Sequence, residues 1–192
     1  MSEWLSISWR IRDQRAGWGA VLAVAAIVGI AVWYSVDTYV NGSPISPGAR
    51  AATTDLSPSA TSPSAIAAAA STLGHPIYWA GPKPGMTYEL AASSGNAYLR
   101  YLPAGTQIGA TGAFLTVATY PVPNAYAYTE GGNDPDLVKK QIAGNGILVY
   151  HSGNPNDVHI AYTGVDVQIE VADPTPGGAI RLAESGSIVP AR

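Results

Sequence analysis

Few side chains in this sequence have chemistry to offer. Histidines stand at positions 75, 151 and 159, and cysteine is absent, which removes disulfides, thiolate metal ligands and thiol nucleophiles. His151 and His159 fall on neighbouring predicted strands with Asp157 close by, the beginning of a metal site. Such a site needs three or four ligands and a supporting shell, and the spacing supplies no distinctive set. There is no Gly-x-Ser-x-Gly elbow and no phosphate-cradling glycine loop, so neither serine-nucleophile nor nucleotide chemistry has a motif. Asp134 and Asp136, within Asn-Asp-Pro-Asp, have the composition of a weak calcium loop and equally that of solvated surface acids. The sequence thus names no catalytic residue, no metal ligand and no cofactor.

Binding chemistry is better represented. Eleven Tyr and five Trp against a single Phe make amphipathic rings the dominant aromatic type. Tyr78, Trp79, Tyr98, Tyr126 and Tyr128 are candidates for a platform on which sugar rings stack, or else core filler with hydroxyls at the rim. Between 158 and 171 the chain alternates strictly. Val158, Ile160, Tyr162, Val165, Val167, Ile169 and Val171 share one face, and His159, Asp166, Gln168 and Glu170 share the other. A period of two this clear predicts one buried face and one that is wet or covered by something polar. The residues expected to bind a partner across the polar face are Trp79, Tyr98, Arg100, His159 and Gln168.

The elements that must position them are readable in order. Ser62 as cap, Pro63 at the first helical position and Gly74 as stop predict a helix through Ala65–Thr72. Met86–Ala92 and Ala97–Leu102 predict a hairpin closed by Ser93-Ser94-Gly95-Asn96. The favoured register opposes Tyr88 to Tyr101, Leu90 to Leu99 and Glu89 to Arg100, since it satisfies both apolar and charge matches. A strand over Phe114–Tyr120 leads through Pro121-Val-Pro123-Asn124 into a short helix from Ala125 towards Glu130. Two more hairpins follow, Leu137–Ile142 with Ile147–His151, and Val158–Tyr162 with Val165–Val171 around a tight Thr163-Gly164 turn. Thr175, Pro176 and Gly186 bracket a last helix, and Ser187–Val189 can add an edge strand.

The stretch from Phe114 echoes that from Val167, each a strand, then Pro-x-Pro, then a helix. This suggests a duplicated strand-strand-strand-helix unit, with two helices packed on one face of an antiparallel sheet and the other face open. The expected fold class is α+β.

Upstream, Gly17–Val36 is an uncharged apolar run whose roughly 30 Å as a helix matches a bilayer's hydrocarbon core. Trp18 at one end and Trp33, Tyr34 and Tyr39 at the other form aromatic belts. Arg10, Arg12 and Arg15 place the leader, residues 1–16, in the cytoplasm and the remainder outside. A cleaved signal peptide is the rival reading, weakened by the length of the run and by Asp37-Thr38-Tyr39 ahead of any cleavage site. Small residues spaced four apart, Gly19/Ala23 and Ala25/Gly29, would let two spans pair as a homodimer. Residues 37–64, rich in Pro, Ser, Thr and Ala, predict an extended tether, and 65–192 the exported domain. A net charge of −3 with 12% charged residues leaves no basic patch, so no nucleic-acid partner is expected.

The segments Leu73-Gly-His-Pro-Ile-Tyr-Trp-Ala-Gly-Pro, Tyr98-Leu-Arg-Tyr-Leu-Pro-Ala-Gly and Leu115-Thr-Val-Ala-Thr-Tyr-Pro resemble a group of membrane-anchored envelope proteins of high-GC Gram-positive bacteria. That resemblance implies an envelope location and transfers no activity. Three functions stay open on sequence alone. They are a non-catalytic extracytoplasmic module binding an envelope protein or wall polysaccharide, an exported hydrolase acting on a wall polymer, and a sensor or assembly subunit acting through the span.

Overall fold

The computed structural model describes residues 55–192; the predicted leader, the span and all of the linker up to Thr54 lie outside the described residues. Local chemistry sets the first helix. Ser62 accepts a hydrogen bond from the Ala65 N–H, Pro63 opens α1 (Pro63–Leu73), and Gly74 closes it in the left-handed conformation at φ 76°. Ahead of it, Leu56–Thr61 forms strand β1. This corrects the expectation that these residues belong to an unstructured linker. The strand is outermost and largely exposed, with Pro58 where the register shifts, so it needs no apolar alternation.

The hairpin β3 (Met86–Ser93) and β4 (Asn96–Pro103) takes the expected register, with Tyr88 opposite Tyr101, Leu90 opposite Leu99 and Glu89 opposite Arg100. Strand β5 (Leu115–Pro121) pairs with β4, and helix α2 (Ala125–Glu130) follows it. Strands β6 (Leu137–Ile142), β7 (Gly146–His151), β8 (Asp157–Tyr162) and β9 (Val167–Ala172) form a second meander, and α3 (Gly178–Glu184) follows β9. One antiparallel sheet of eight strands results, in the order β1-β3-β4-β5-β9-β8-β7-β6. A two-stranded ribbon of β2 (Tyr78–Trp79) and β10 (Val189–Pro190) completes the α+β fold. Among the described residues no helix is long and apolar enough to cross a membrane.

The β8–β9 connection differs from the tight turn expected. Val158 opposes Val171 and Ala161 opposes Gln168, which leaves residues 163–166 as a wider loop. Its groups are engaged elsewhere: Thr163 donates through N–H and hydroxyl to the Asn145 carbonyl, and Asp166 accepts from the backbone N–H groups of Val122 and Asn124. A slip of two residues preserves the pleat, so the two faces keep the membership that the alternation predicts.

The helices do not share a face. Val117 opposes Val171 across β5–β9, whereas the internal echo aligns Val117 with Glu170, its neighbour on the opposite side. Equivalent positions of the two units therefore look in opposite directions, and their helices land on opposite sides of the sheet. On one face α1 and α3 bury Ile66, Ala179 and Ala183 against Leu99, Val117, Ile160, Ile169 and Val171. The β2–β10 ribbon is pinned to that face by the Tyr78 N–H to Thr119 Oγ1 (3.0 Å) and the Ala80 N–H to the Tyr101 hydroxyl (2.8 Å). On the other face α2 lays Ala125 over Ile147, Val149 and Ala161. The face expected to stay open is therefore partly covered.

Arg100 and Glu89 anchor the far end of that second face at 2.6 Å, with Glu89 only 1% exposed. Losing one member leaves a buried charge, whereas losing both does not. Arg100→Met is expected to destabilise the protein by about 3 kcal/mol in urea unfolding, and Glu89→Leu combined with Arg100→Met to recover much of that loss. Equal destabilisation by single and double variants would count against the pair.

Candidate functional site

Cross-strand register gathers the polar residues of the second face into two rows. Tyr98, Ala118, Glu170 and His159 stand side by side across β4, β5, β9 and β8, and the next row holds Arg100, Thr116, Ala172 and Asp157. Of the five residues expected to bind, Tyr98, Arg100, His159 and Gln168 lie on this face. Trp79 does not. It sits in the β2–β10 ribbon on the far side, edge-on to Tyr88 with ring centroids 6.1 Å apart, because Tyr78 and Ile77 are the ribbon residues driven into the core.

Walls rise on both flanks. The 104–114 loop is tied down by Glu89, which accepts from the Gly109 N–H, and by Arg100, which donates to the Ala110 carbonyl at 2.6 Å. Phe114 lies beneath the Arg100 guanidinium, 4.9 Å from ring centroid to charge centre. On the other flank, Thr129 of α2 accepts from Gln168 Nε2 at 2.8 Å, which removes Gln168 from the surface. Between the walls Tyr98, Thr116, Ala172, Asp157 and His159 remain half-buried.

The electrostatics of this strip are unusual. Glu170 is 5% exposed and its Oε2 accepts from the Tyr120 hydroxyl at 2.5 Å. Burial, reinforced by the nearby Asp157, pushes its carboxyl up to about 7, against a smaller lowering by the Tyr120 hydrogen bond. Burial also raises Asp157, which His159 partly offsets, and burial lowers His159, which Asp157 partly offsets. Tyr120 is held far above the ordinary phenol range, by burial first and then by Glu170. Two atoms are left without a partner in sealed positions, Asp157 Oδ1 and His159 Nδ1. An unsatisfied buried polar group costs about 1–3 kcal/mol, which makes these two the least settled polar atoms of the face. Glu170 was legible as a polar-face residue, but the depth of its burial and the role of Tyr120 were not. Those depend on β5 pairing with β9 about fifty residues further along.

Elsewhere, Asp134, Asp136 and His151 bring three ligand atoms within 4.8 Å of one another, all on the exposed surface. His151 does not join His159, which lies opposite Val149. The His151 ring is set wrongly for a metal. Its Nδ1 accepts from the Gly153 N–H at 3.1 Å, so the proton sits on Nε2, the nitrogen that faces Asp136 at 3.8 Å. A metal-binding imidazole donates from its distal nitrogen instead. Two surface depressions, beside Lys83 and Arg181 and beside Tyr126 and Asp166, carry none of the strongly shifted groups. Histidine 75 is structural, bridging the Pro76 and Gly95 carbonyls.

Compared with known proteins, the chain matches no family model, no curated protein and no solved structure.

The sign of the Glu170 shift makes a prediction. The folded protein holds a proton that the unfolded chain releases near 4.5, so Glu170 favours folding at low pH and this contribution is lost as pH rises to about 7. Asp157 acts in the same sense, and His159 opposes them by losing stability as pH falls below 6.5. Glu170→Gln should match the parent near pH 4 and exceed it by roughly 3 kcal/mol at pH 8 in urea titrations. A difference that does not vary with pH would mean Glu170 ionises normally.

Proposed function

We propose that the protein is a membrane-tethered extracytoplasmic binding module of the cell envelope, non-catalytic, that uses the second face of its sheet. The observation that carries this reading is the strip between α2 and the 104–114 loop, where the half-buried polar side chains of Tyr98, Arg100, Thr116, Asp157 and His159 stand together on one face. Supporting the location are the uncharged run Gly17–Val36, the arginines before it and the Pro/Ser/Thr-rich tether after it, together with the resemblance to anchored envelope proteins. The sheet's outer strands do not favour strand addition. Pro58 interrupts β1, and Lys139 and Lys140 line the exposed β6.

A second reading, an exported hydrolase of a wall polymer, is favoured by one observation. A carboxyl held near 7 beside a second carboxyl is suited to general-acid work. Its weakness is that Glu170 lies beneath the surface and already spends one oxygen on Tyr120.

Protease added to intact cells should remove epitopes within 55–192 and leave an N-terminal stub in the membrane fraction. Digestion only after lysis would overturn the topology. Turnover of a purified wall polymer that disappears in Glu170→Gln would replace the binding reading with the hydrolytic one.

A further inference from the structure

Trp79, which the fold keeps off the polar strip, belongs to a second surface. In the β2–β10 ribbon it stands opposite Val189, while Tyr78 and Pro190 form the next pair and Tyr78 turns into the core. Directly opposed residues of a ribbon share a face, so Trp79 and Val189 both look away from the core. Trp79 meets Tyr88 edge-on at 6.1 Å, and Met86 lies two residues before Tyr88 on the same face of β3. Val189, Trp79, Tyr88 and Met86 therefore make one continuous row. Its two ends are open, Val189 at 42% and Met86 at 38% exposure, and Ile108 is the remaining large apolar side chain exposed among the described residues.

Cations border this row. The Lys83 N–H donates to the Tyr88 hydroxyl at 2.9 Å, and Lys83 shares a surface depression with Arg181 and with Ser187, two residues before Val189. Among the described residues neither Lys83 nor Arg181 has a carboxylate partner, whereas Arg100 is paired with Glu89 and Lys140 with Glu184. The acid in the depression, Asp173, spends one oxygen on the Thr175 N–H and lies against Gly178.

A second copy docking face to face would set these cations against themselves. A bilayer suits them. Indole and phenol rings settle at the headgroup level, short apolar side chains dip below it, and unpaired Lys and Arg meet anionic headgroups. The predicted span also brings a bilayer close. It ends at Val36 and β1 begins at Leu56, so residues 37–55 keep the domain within about 65 Å of the membrane even at full extension. Confinement of that kind keeps occupied a surface too small for stable docking from solution.

We propose that this side of the domain, Met86, Tyr88, Trp79 and Val189 with Lys83 and Arg181, is a lipid-docking surface that seats against an anionic bilayer. The assignment rests on the membrane-tethered reading and adds a second contact with the same membrane. The ribbon lies on the sheet face opposite the polar strip, so docking leaves the strip free for its partner.

The absence of cysteine allows single-site labelling of the full chain. Val189→Cys and Ser152→Cys, the latter on the exposed turn after β7 at the other end of the sheet, each carry a fluorophore in chain reconstituted into vesicles with a lipid-borne quencher. In phosphatidylcholine with phosphatidylglycerol at about one third, the label at 189 should be quenched about threefold more than the label at 152. Lys83→Gln combined with Arg181→Gln, or phosphatidylcholine alone, should lower the docking equilibrium about tenfold, with circular dichroism unchanged. Equal quenching at 189 and 152, or quenching at 189 indifferent to both the charge variant and phosphatidylglycerol, would overturn the surface. Protection of 189 that rises with protein concentration in lipid-free micelles would assign the face to a second copy and also overturn it. Washing the vesicles with alkaline carbonate separates the two levels. A chain retained by the vesicles but unquenched at 189 loses the docking surface alone, and a chain stripped by carbonate loses the tether on which it rests.

Discussion

The pairing of β5 with β9 is the constraint on which the rest of the structure depends. It joins two meanders, each built from local hairpins, into one sheet, and its register decides which side chains meet. With Val117 opposite Val171, the apolar residues of both halves point to a single face, where α1, α3 and the β2–β10 ribbon close over them. The same register forces Ala118 beside Glu170 and Thr116 beside Ala172 on the reverse face. A slip of one residue would send Glu170 into the main core and Val171 out of it. The main core and the polar strip are therefore two consequences of a single alignment.

That alignment also explains why a sheet with two covered faces retains so much polarity at its centre. The second face receives only the six-residue α2 and a loop, which is less apolar cover than two helices and a ribbon provide. Gln168 and Glu170 are satisfied from within, by Thr129 and Tyr120, and are deeply buried. Asp157 and His159 lie past the reach of either device and keep one partnerless atom each. The polar residues thus grade from satisfied beneath α2 to partnerless at the buried atoms of Asp157 and His159.

How much of this the sequence disclosed follows the distance over which each feature is decided. Ser62, Pro63 and Gly74 define α1 within a dozen residues, and each acts on its own turn of backbone. The β3–β4 register was legible because Glu89 and Arg100 oppose in charge just where Leu90 and Leu99 match in greasiness. Strand β1 was hidden because an edge strand with four exposed central residues has the composition of a tether. The Thr163-Gly164 turn misled because Asn145, Val122 and Asn124, from other elements, compete for its loop. Four of the five expected binding residues share a face because period two is local to each strand. That both hairpins turn the same polar side to one surface depended on β5–β9, which no neighbouring residue encodes. Trp79 was misplaced for a related reason, since a two-residue strand carries no periodicity to say which way its ring turns.

The internal echo is better understood once that pairing is known. Two units related by a rotation perpendicular to the sheet would place equivalent residues on the same face and stack both helices together. The observed register offsets the units by one residue from that arrangement, so Val117 and its counterpart Glu170 face apart. One unit then delivers a core valine where the other delivers a buried acid. Common ancestry is not needed to account for the shared strand, Pro-x-Pro, helix pattern, because each proline pair does the same local work of ending a strand and starting a helix. The faces those helices choose are set by the partner strand. The acid at 170 follows from the same choice: it lies on the face that received the lesser cover, where Tyr120 from the other unit can reach it.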